Sequence, residues 1–344
     1  MVYRRGSNAA VVDDRSRSQA QVWATPVQSQ STGIGVVQRH VYPRLGSTKI
    51  QIVTKNEKGN GTIRLVSALL DFIGPRYGAA LICGTPTPLI VRTPLVVIVY
   101  DLRWRRTRNL PSRAYHYLNL LRTVRKASHV FAISERTRRE LQELFPYYAD
   151  KSSVLHLGPG IMNKSDFAEG EEGTVLLVGR AEYKRNELLA RAFVIARPHW
   201  VRRFLCVGVS DETFETLVEA FGNAACERFK NINETEMRFI YQRAEVYVSG
   251  SMEEGFGLPS VEALCGGCQV IAIRQPLTTE VLGDAAVLIE DGDLSDLAAQ
   301  LRNPTWINSA TRLGRASIFS WSSFIESLGE AIEQIVVFDD DKSF

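Results

Sequence analysis

Two carboxylates, Glu254 and Glu262, stand with seven residues between them, and the segment they enclose opens on Gly255, Phe256, Gly257, Leu258 and Pro259. The residues before it, Glu245–Ser249, read as a strand. Pro259 sits where the first turn of a helix tolerates a missing N–H. A helix is expected over Ser260–Leu264, ending at Gly266–Gly267. Such a strand–loop–helix unit aims free backbone N–H groups and a positive helix end at one point, which suits an anion. A carboxylate beside that point repels phosphate, so Glu254 and Glu262 fit better as acceptors for sugar hydroxyls, which are donors. A plain strand–turn–helix unit with surface glutamates has the same local pattern, because a lone glycine loop is a weak signal.

Other reactive residues have simpler readings. Cys265 and Cys268 form a C-x-x-C with no second ligand pair nearby, and are read as packing residues at the end of a helix. Asp291 and Asp293 resemble a metal-binding Asp-x-Asp but fit better as a strand end and a cap for a helix over Leu294–Leu301. No metal site is expected. His40, His116, His129, His156 and His199 are scattered and pair with no Ser or Cys in a hydrolase pattern. Asp339–Asp341 reads as a solvated acidic tail. The basic cluster Arg103, Arg105, Arg106, Arg108, Arg113, Arg122, Arg125 and Lys126 has Trp104, Tyr115 and Tyr117 among it. Interleaved aromatics favour docking on anionic lipid or on acceptor phosphates over a merely solvated face.

These groups need a scaffold, and the chain supplies one in short apolar blocks. Ile50–Val53, Ala80–Cys83, Leu95–Val99, Val130–Ile133, Val154–Leu157, Val175–Val178, Phe204–Val207, Val246–Val248, Val270–Ile273 and Val287–Ile289 recur along its length. Most lack alternation, as in strands buried on both faces. A first strand is expected at Gln21–Val27. Helical periodicity lies between the blocks, at Leu188–Ala196, Thr137–Leu144, Met237–Ala244, Leu294–Leu301 and Phe324–Ile335. Strand–helix alternation throughout predicts α/β architecture with parallel sheets. The 344 residues are enough for two domains. Residues 1–165 hold 25 Lys and Arg against 9 Asp and Glu, a balance of +16, and the remainder carries −13. The sign changes at Gly158–Gly173, a Gly- and acid-rich stretch that marks the boundary. A basic first half seeks an anionic partner. No apolar run reaches the ~18 residues of a membrane helix, and the arginine-rich start lacks the apolar region of a secretory signal. Retention in the cytoplasm is expected.

The segment Glu254–Gly255–Phe256–Gly257–Leu258–Pro259 with Glu262 resembles the signature of retaining glycosyltransferase family 4. Other stretches resemble the family in the same order: Gly33–Ile34–Gly35, Asp101–Leu102, Ala132–Leu141, Val178–Gly179–Arg180 with Arg185–Asn186, Tyr241–Ala244 with Val246, Thr279–Gly283, and Trp321 with its following helix. The resemblance implies the GT-B fold: two Rossmann-like parallel-sheet domains facing a cleft, with a C-terminal helix crossing back to the first. Domains are expected at 1–165, at 166–320, and at 321–344 for the returning helix and acidic tail, and the polar, arginine-rich first twenty residues are expected to be disordered. It implies a retaining, metal-independent hexosyltransferase with no cofactor, moving sugar from a UDP- or GDP-type donor to a saccharide or lipid-linked acceptor in polysaccharide, lipopolysaccharide or glycolipid assembly. Glu254, Arg180 and Arg185 would be catalytic. Glu262, the N–H groups of Phe256, Gly257 and Leu258, and Lys184, Gly33 and Gly35 would hold the donor. Tyr100, Asp101 and Arg103 would touch sugar or acceptor. Preorganised cations and N–H dipoles would stabilise charge on the leaving diphosphate.

Two residues depart from the family pattern. Arg185 stands where Lys is usual, keeping charge but changing reach, with Lys184 beside it. Tyr100 stands where His is usual and cannot carry positive charge. The resemblance also implies a place at the inner face of the cell membrane; the charge balance and the basic cluster add the expectation of an anionic membrane surface as partner of the first half, with no nucleic acid bound. The alternative is an impaired GT-B scaffold, or a nucleic-acid-binding protein using that basic half. Glu254, Glu262, Arg180 and Arg185 together weigh against it.

Overall fold

The computed structural model describes residues 20–24, 33–45, 50–53, 79–83 and 93–340. The first domain contains strands β1 (Ala20–Ala24), β2 (Ile50–Val53), β3 (Ala79–Cys83), β4 (Leu95–Val99), β5 (Ala127–Ala132) and β6 (Ser152–Val154). Its helices are α1 (Gly33–Leu45), α2 (Leu110–Lys126) and α3 (Glu135–Leu144). The second contains β7 (Glu171–Val178), β8 (Arg203–Val207), β9 (Cys226–Phe229), β10 (Ala244–Ser249), β11 (Gln269–Ile273) and β12 (Val287–Ile289). Between and after them run α4 (Asn186–Ala196), α5 (Asp211–Phe221), α6 (Glu234–Arg243), α7 (Leu258–Gly266), α8 (Pro276–Leu282), α9 (Leu294–Arg302) and α10 (Ser309–Ala316). The last helix, α11, spans Trp321–Asp340.

Every strand pairing is parallel. The sheets run β2-β1-β3-β4-β5-β6 and β12-β11-β10-β7-β8-β9. Parallel sheets need both faces covered, and all five residues of β4 and of β11 are buried. The order reverses between β1 and β3 in one sheet and between β7 and β10 in the other. Ligands of open α/β sheets lie at the carboxyl ends of strands beside such reversals. The reversals place the start of α1, after β1, and the loops after β7 and β10 on one cleft, with the loop after β4 two strands from β1.

One apolar core joins the halves, from Val22 and Val37 through Phe256 and Val261 to Phe324 and Leu328. The final helix returns to the first domain as expected and packs on α1 and β3. Trp321 at its start stacks on His40 of α1 at 4.6 Å, with 2° between the ring planes. Its indole N–H donates to the Pro159 carbonyl at 2.6 Å.

Some element limits differ from the sequence reading. The first strand begins at Ala20, within the stretch expected to be disordered; the rest of that stretch, residues 25–27 and residue 341 lie outside the described residues. The block at Val154–Leu157 is a strand only at its start: Leu155 and Leu157 leave the sheet and are buried in the shared core. The helix expected at Ser260–Leu264 extends to Leu258–Gly266, because Gly257 at φ 83° caps it one residue before Leu258.

Candidate active site

The loops after β7 and β10 are knit together. The Met252 N–H donates to the Tyr183 carbonyl at 3.1 Å. Asn186, buried at the start of α4, donates its amide to the Gly179 carbonyl at 2.6 Å and closes the first loop. The Gln275 amide reaches the Ser251 carbonyl at 2.6 Å and holds the second. At Gly255 that second loop touches the first domain: a Cβ there would meet the Tyr100 carbonyl at 2.2 Å. Only glycine permits this approach, which brings the carboxyl end of β4 against the loop after β10.

A cavity of about 520 Å³ opens at this junction, lined from the first domain by Ile34, Val36, Tyr100, Asp101 and Arg103 among others. The second domain contributes Tyr183, Lys184, Glu254, Gly255–Pro259 and Glu262. The N–H groups of Phe256, Gly257 and Leu258 form no hydrogen bond among the described residues. The first N–H groups engaged in this turn are those of Ser260 and Val261, on the Gly257 carbonyl. The positive end of α7 is thus unfilled where it meets the cavity. The Phe256 ring turns away into the core, against His156 and Phe319.

The two carboxylates sit in different surroundings. Glu254 Oε1 accepts from Ser251 Oγ at 2.9 Å and from Lys184 Nζ, with which it forms an ion pair. Burial works against the Lys184 charge, yet Tyr247 and Glu254 hold its pKa above the ordinary lysine value. Glu262 accepts from the Tyr241 hydroxyl at 2.9 Å and from the Ile161 N–H at 3.3 Å. Burial pushes the Glu262 carboxyl up to about 7, although both hydrogen bonds favour its charged form.

The remaining residues singled out in the sequence are dispersed around this centre. Asp101 accepts from Arg103 through its N–H at 3.1 Å and its Nε at 3.0 Å, and Arg103 lies over the Tyr183 ring at 5.6 Å. Gly33 and Gly35 belong to the first turn of α1 rather than to a loop, and their neighbours Ile34 and Val36 line the cavity. Arg180 is exposed after β7 and makes no hydrogen bond or ion pair among the described residues. Arg185, in the left-handed conformation at φ 54°, is ion-paired with Asp291 at 2.7 Å. Neither arginine lines the cavity; Lys184 does. Asp293 caps α9 through the N–H groups of Ser295 and Asp296. Cys265 and Cys268 are buried free thiols. No cluster of three or more His, Cys, Asp or Glu suited to a metal ion occurs among the described residues.

Sequence reasoning missed Tyr183, Tyr241 and Glu280. Tyr183 carries no signal in the sequence, and Tyr241 stands out only as the start of a stretch that resembles the family. Glu280 lay inside the Thr279–Gly283 stretch, but nothing in its spacing showed that it reaches the other domain.

The geometry places this chain among known proteins. The model of the family described as glycosyl transferases group 1 matches residues 161–304, the part that carries both glutamates and the loops after β7 and β10. Residues 161–304 are a group 1 glycosyl transferase match. Two curated relatives are similar to this chain. The O-antigen chain mannosyltransferase B of Escherichia coli is 25% identical over 61% of this chain and 63% of its own length. The O-antigen chain mannosyltransferase RfbU of Salmonella typhimurium is 22% identical over 65% of this chain and 64% of its own. The matches thus span less than two thirds of these relatives. Among solved structures, the sucrose-phosphate synthase of Thermosynechococcus elongatus covers 93% of this chain at 16% identity, with a TM-score of 0.71 and all of its own chain aligned. Anabaena HepE, solved with UDP and glucose, covers 92% at 15% identity, with a TM-score of 0.64 and its whole chain aligned. The fold is GT-B, and the group 1 match falls on its second domain.

Proposed function

We propose that the protein is a retaining hexosyltransferase, moving a sugar from a UDP- or GDP-type nucleotide sugar to a saccharide or lipid-linked acceptor in cell-surface polysaccharide or glycolipid assembly. The observation that carries this reading is the convergence on one cavity of Glu254, Glu262, Lys184 and the unfilled N–H groups of Phe256–Leu258. Glu254 accepts hydrogen bonds from the donor sugar, Glu262 from the ribose, and the α7 N-terminus faces the diphosphate. Lys184 adds positive charge in the cavity, and Arg180, exposed in the loop after β7, and Arg185, where it leaves Asp291, add to it as the donor binds. An adjoining cavity of about 510 Å³ shares Tyr100, Asp101, Arg103 and Tyr183 and adds Trp104 and His116. Aromatic and polar groups mixed in this way suit the acceptor.

In the reaction the bond from the anomeric carbon to the phosphate oxygen breaks, and its electron pair leaves on the diphosphate. The N–H dipoles and cations stabilise that charge in place, without reorganisation. The acceptor hydroxyl attacks from the same face, and its proton passes to the departing phosphate oxygen. Configuration is retained and no metal is required. The O-antigen mannosyltransferase relatives make mannose the first sugar to test.

Thermal melting with a panel of nucleoside diphosphates, then transfer assays with the matching sugars, tests the reading. A ligand at 100 times its Kd adds about 2.7 kcal/mol, which a melting curve resolves. One diphosphate should stabilise the protein, EDTA should leave transfer unchanged, and Glu254→Ala should lower transfer at least about 100-fold while the protein stays folded. A Glu254→Ala variant with normal turnover would sink the assignment.

A further inference from the structure

We propose that Tyr241 is the positioning residue for ribose recognition, its phenol holding Glu262 so that each carboxylate oxygen keeps one acceptor site for the nucleotide's vicinal hydroxyls. The inference rests on the assignment of Glu262 to the ribose made above. It starts from a count. An ionised carboxylate offers about four lone-pair sites, two on each oxygen. The Tyr241 O–H takes one on Oε2 and the Ile161 N–H takes one on Oε1. One site remains on each oxygen, which is what a 2′,3′-diol can fill with two O–H donors.

The two protein donors come from segments that cannot easily give way. Tyr241 lies near the end of α6, 1% exposed. Its Cβ side is wedged against Gly266 of α7, its ring meets Tyr247 edge-on at 6.5 Å, and its carbonyl accepts from the Cys268 thiol at 3.2 Å. A phenol held this way has its hydroxyl fixed by the ring, and Glu262 is the acceptor within reach. Ile161 belongs to the segment joining the domains. His40 bonds to the Gly160 carbonyl at 2.9 Å, and Trp321 bonds to that of Pro159. A Cβ at Gly160 would stand 2.3 Å from Glu262 Oε1, so the segment passes directly over the carboxylate. Tyr241 therefore fixes one oxygen from within the second domain while the linker fixes the other.

The test compares a ribonucleoside diphosphate with its 2′,3′-dideoxy analogue, by titration calorimetry on the full chain at about pH 8.5, where Glu262 is ionised. Wild type should prefer the ribonucleotide by at least about tenfold. Tyr241→Phe keeps the ring and removes only the hydroxyl; it should lose most of that preference while binding the dideoxy analogue as wild type does. Tyr241→Leu also lacks the hydroxyl and should show the same selective loss, so the question survives if Tyr241→Phe does not fold; Gly160→Ala, which crowds Oε1, should weaken ribonucleotide binding through the other oxygen. If a folded Tyr241 variant keeps the wild-type preference, the positioning role is overturned while the ribose assignment stands. If wild type itself binds both analogues equally, or binds neither, the ribose assignment fails and this inference falls with it.

Discussion

Arg180 and Arg185 lie five positions apart in one loop, yet their surroundings differ. Arg180 is exposed and uncommitted among the described residues. Arg185 caps α4 from a left-handed backbone and is held by Asp291. Lys184 between them is inside the cavity on Glu254. If leaving-group charge is met by the cations already free or in place, Arg180→Ala should lower kcat/KM by about 10- to 100-fold and Arg185→Ala by about threefold or less. Steady-state kinetics of both variants decides it; a larger loss at Arg185 would mean that donor binding draws it off Asp291. Much of this site was legible in the sequence. Glu254, Glu262, Gly255 and Gly257 were legible because the segment they form resembles a family signature, since their spacing alone also fits a plain strand–turn–helix unit. Their partners were not legible. Tyr241 sits at helical spacing among apolar residues, so its hydroxyl gives no signal until the fold sets it on Glu262. Which of three neighbouring cations enters the cavity depends on backbone torsions, and Arg185 at φ 54° turns away where Lys184 does not.

Helix α3 shows the same dependence at the level of an element. Its N-cap is Ser134, whose Oγ accepts from the Thr137 N–H at 3.1 Å, as a capping rule predicts. Two further N–H groups, of Glu135 and Arg136, are taken by Glu280 of α8, from the other domain, at 2.6 and 3.2 Å. His156 adds a contact to Glu280 at 2.8 Å. One carboxylate thus meets the positive end of a helix across the cleft. Burial pushes the Glu280 carboxyl up, but His156 and the two N–H groups outweigh it and hold its pKa below the ordinary carboxylate value. A carboxyl depressed in the folded state stabilises the fold above its unfolded pKa and loses that contribution as pH falls through the folded value. Glu280→Gln should therefore cost about 1–2 kcal/mol at pH 7, and the difference from wild type should shrink as pH falls below about 4. Melts at both pH values check it; a difference independent of pH would remove the charge from the account. Elements themselves were read well where apolar blocks stood alone. Strand β9, Cys226–Phe229, was missed because Glu227 and Arg228 interrupt it. Helix α2 was missed because its arginines drew the reading towards a charge cluster, and only the fold separates its buried Asn119, Leu120, Thr123 and Val124 from the rest.

At the scale of the whole molecule, the fold sorts that basic cluster into two groups. Arg103, Arg105 and Arg106 are paired with Asp101, Glu143 and Glu140, with Arg106 also near Glu253. Their charge is largely answered within the protein. Helix α2 instead exposes Arg113 and Arg125 beside Leu110, Tyr115, Tyr117 and Leu118, the two leucines being 69% and 62% exposed. A helix with basic and apolar groups together on its outer side suits an anionic lipid surface. The charge of the halves, +16 and −13, would turn the first domain towards that surface and the second away. No described helix is long and apolar enough to cross a membrane. Each basic residue near anionic lipid contributes about 1 kcal/mol, and at 0.1 M salt the attraction falls off over about 10 Å. The protein should therefore sediment with vesicles containing phosphatidylglycerol at low salt, not with purely zwitterionic ones, and be largely released at high salt. Arg113→Glu with Arg125→Glu should abolish sedimentation, and Leu118→Asp should weaken it, while nucleotide binding in the cleft stays unchanged. Sedimentation that ignores salt and both charge reversals would place the contact elsewhere on the molecule, and an acceptor brought by the membrane would then have to reach the cleft from another side.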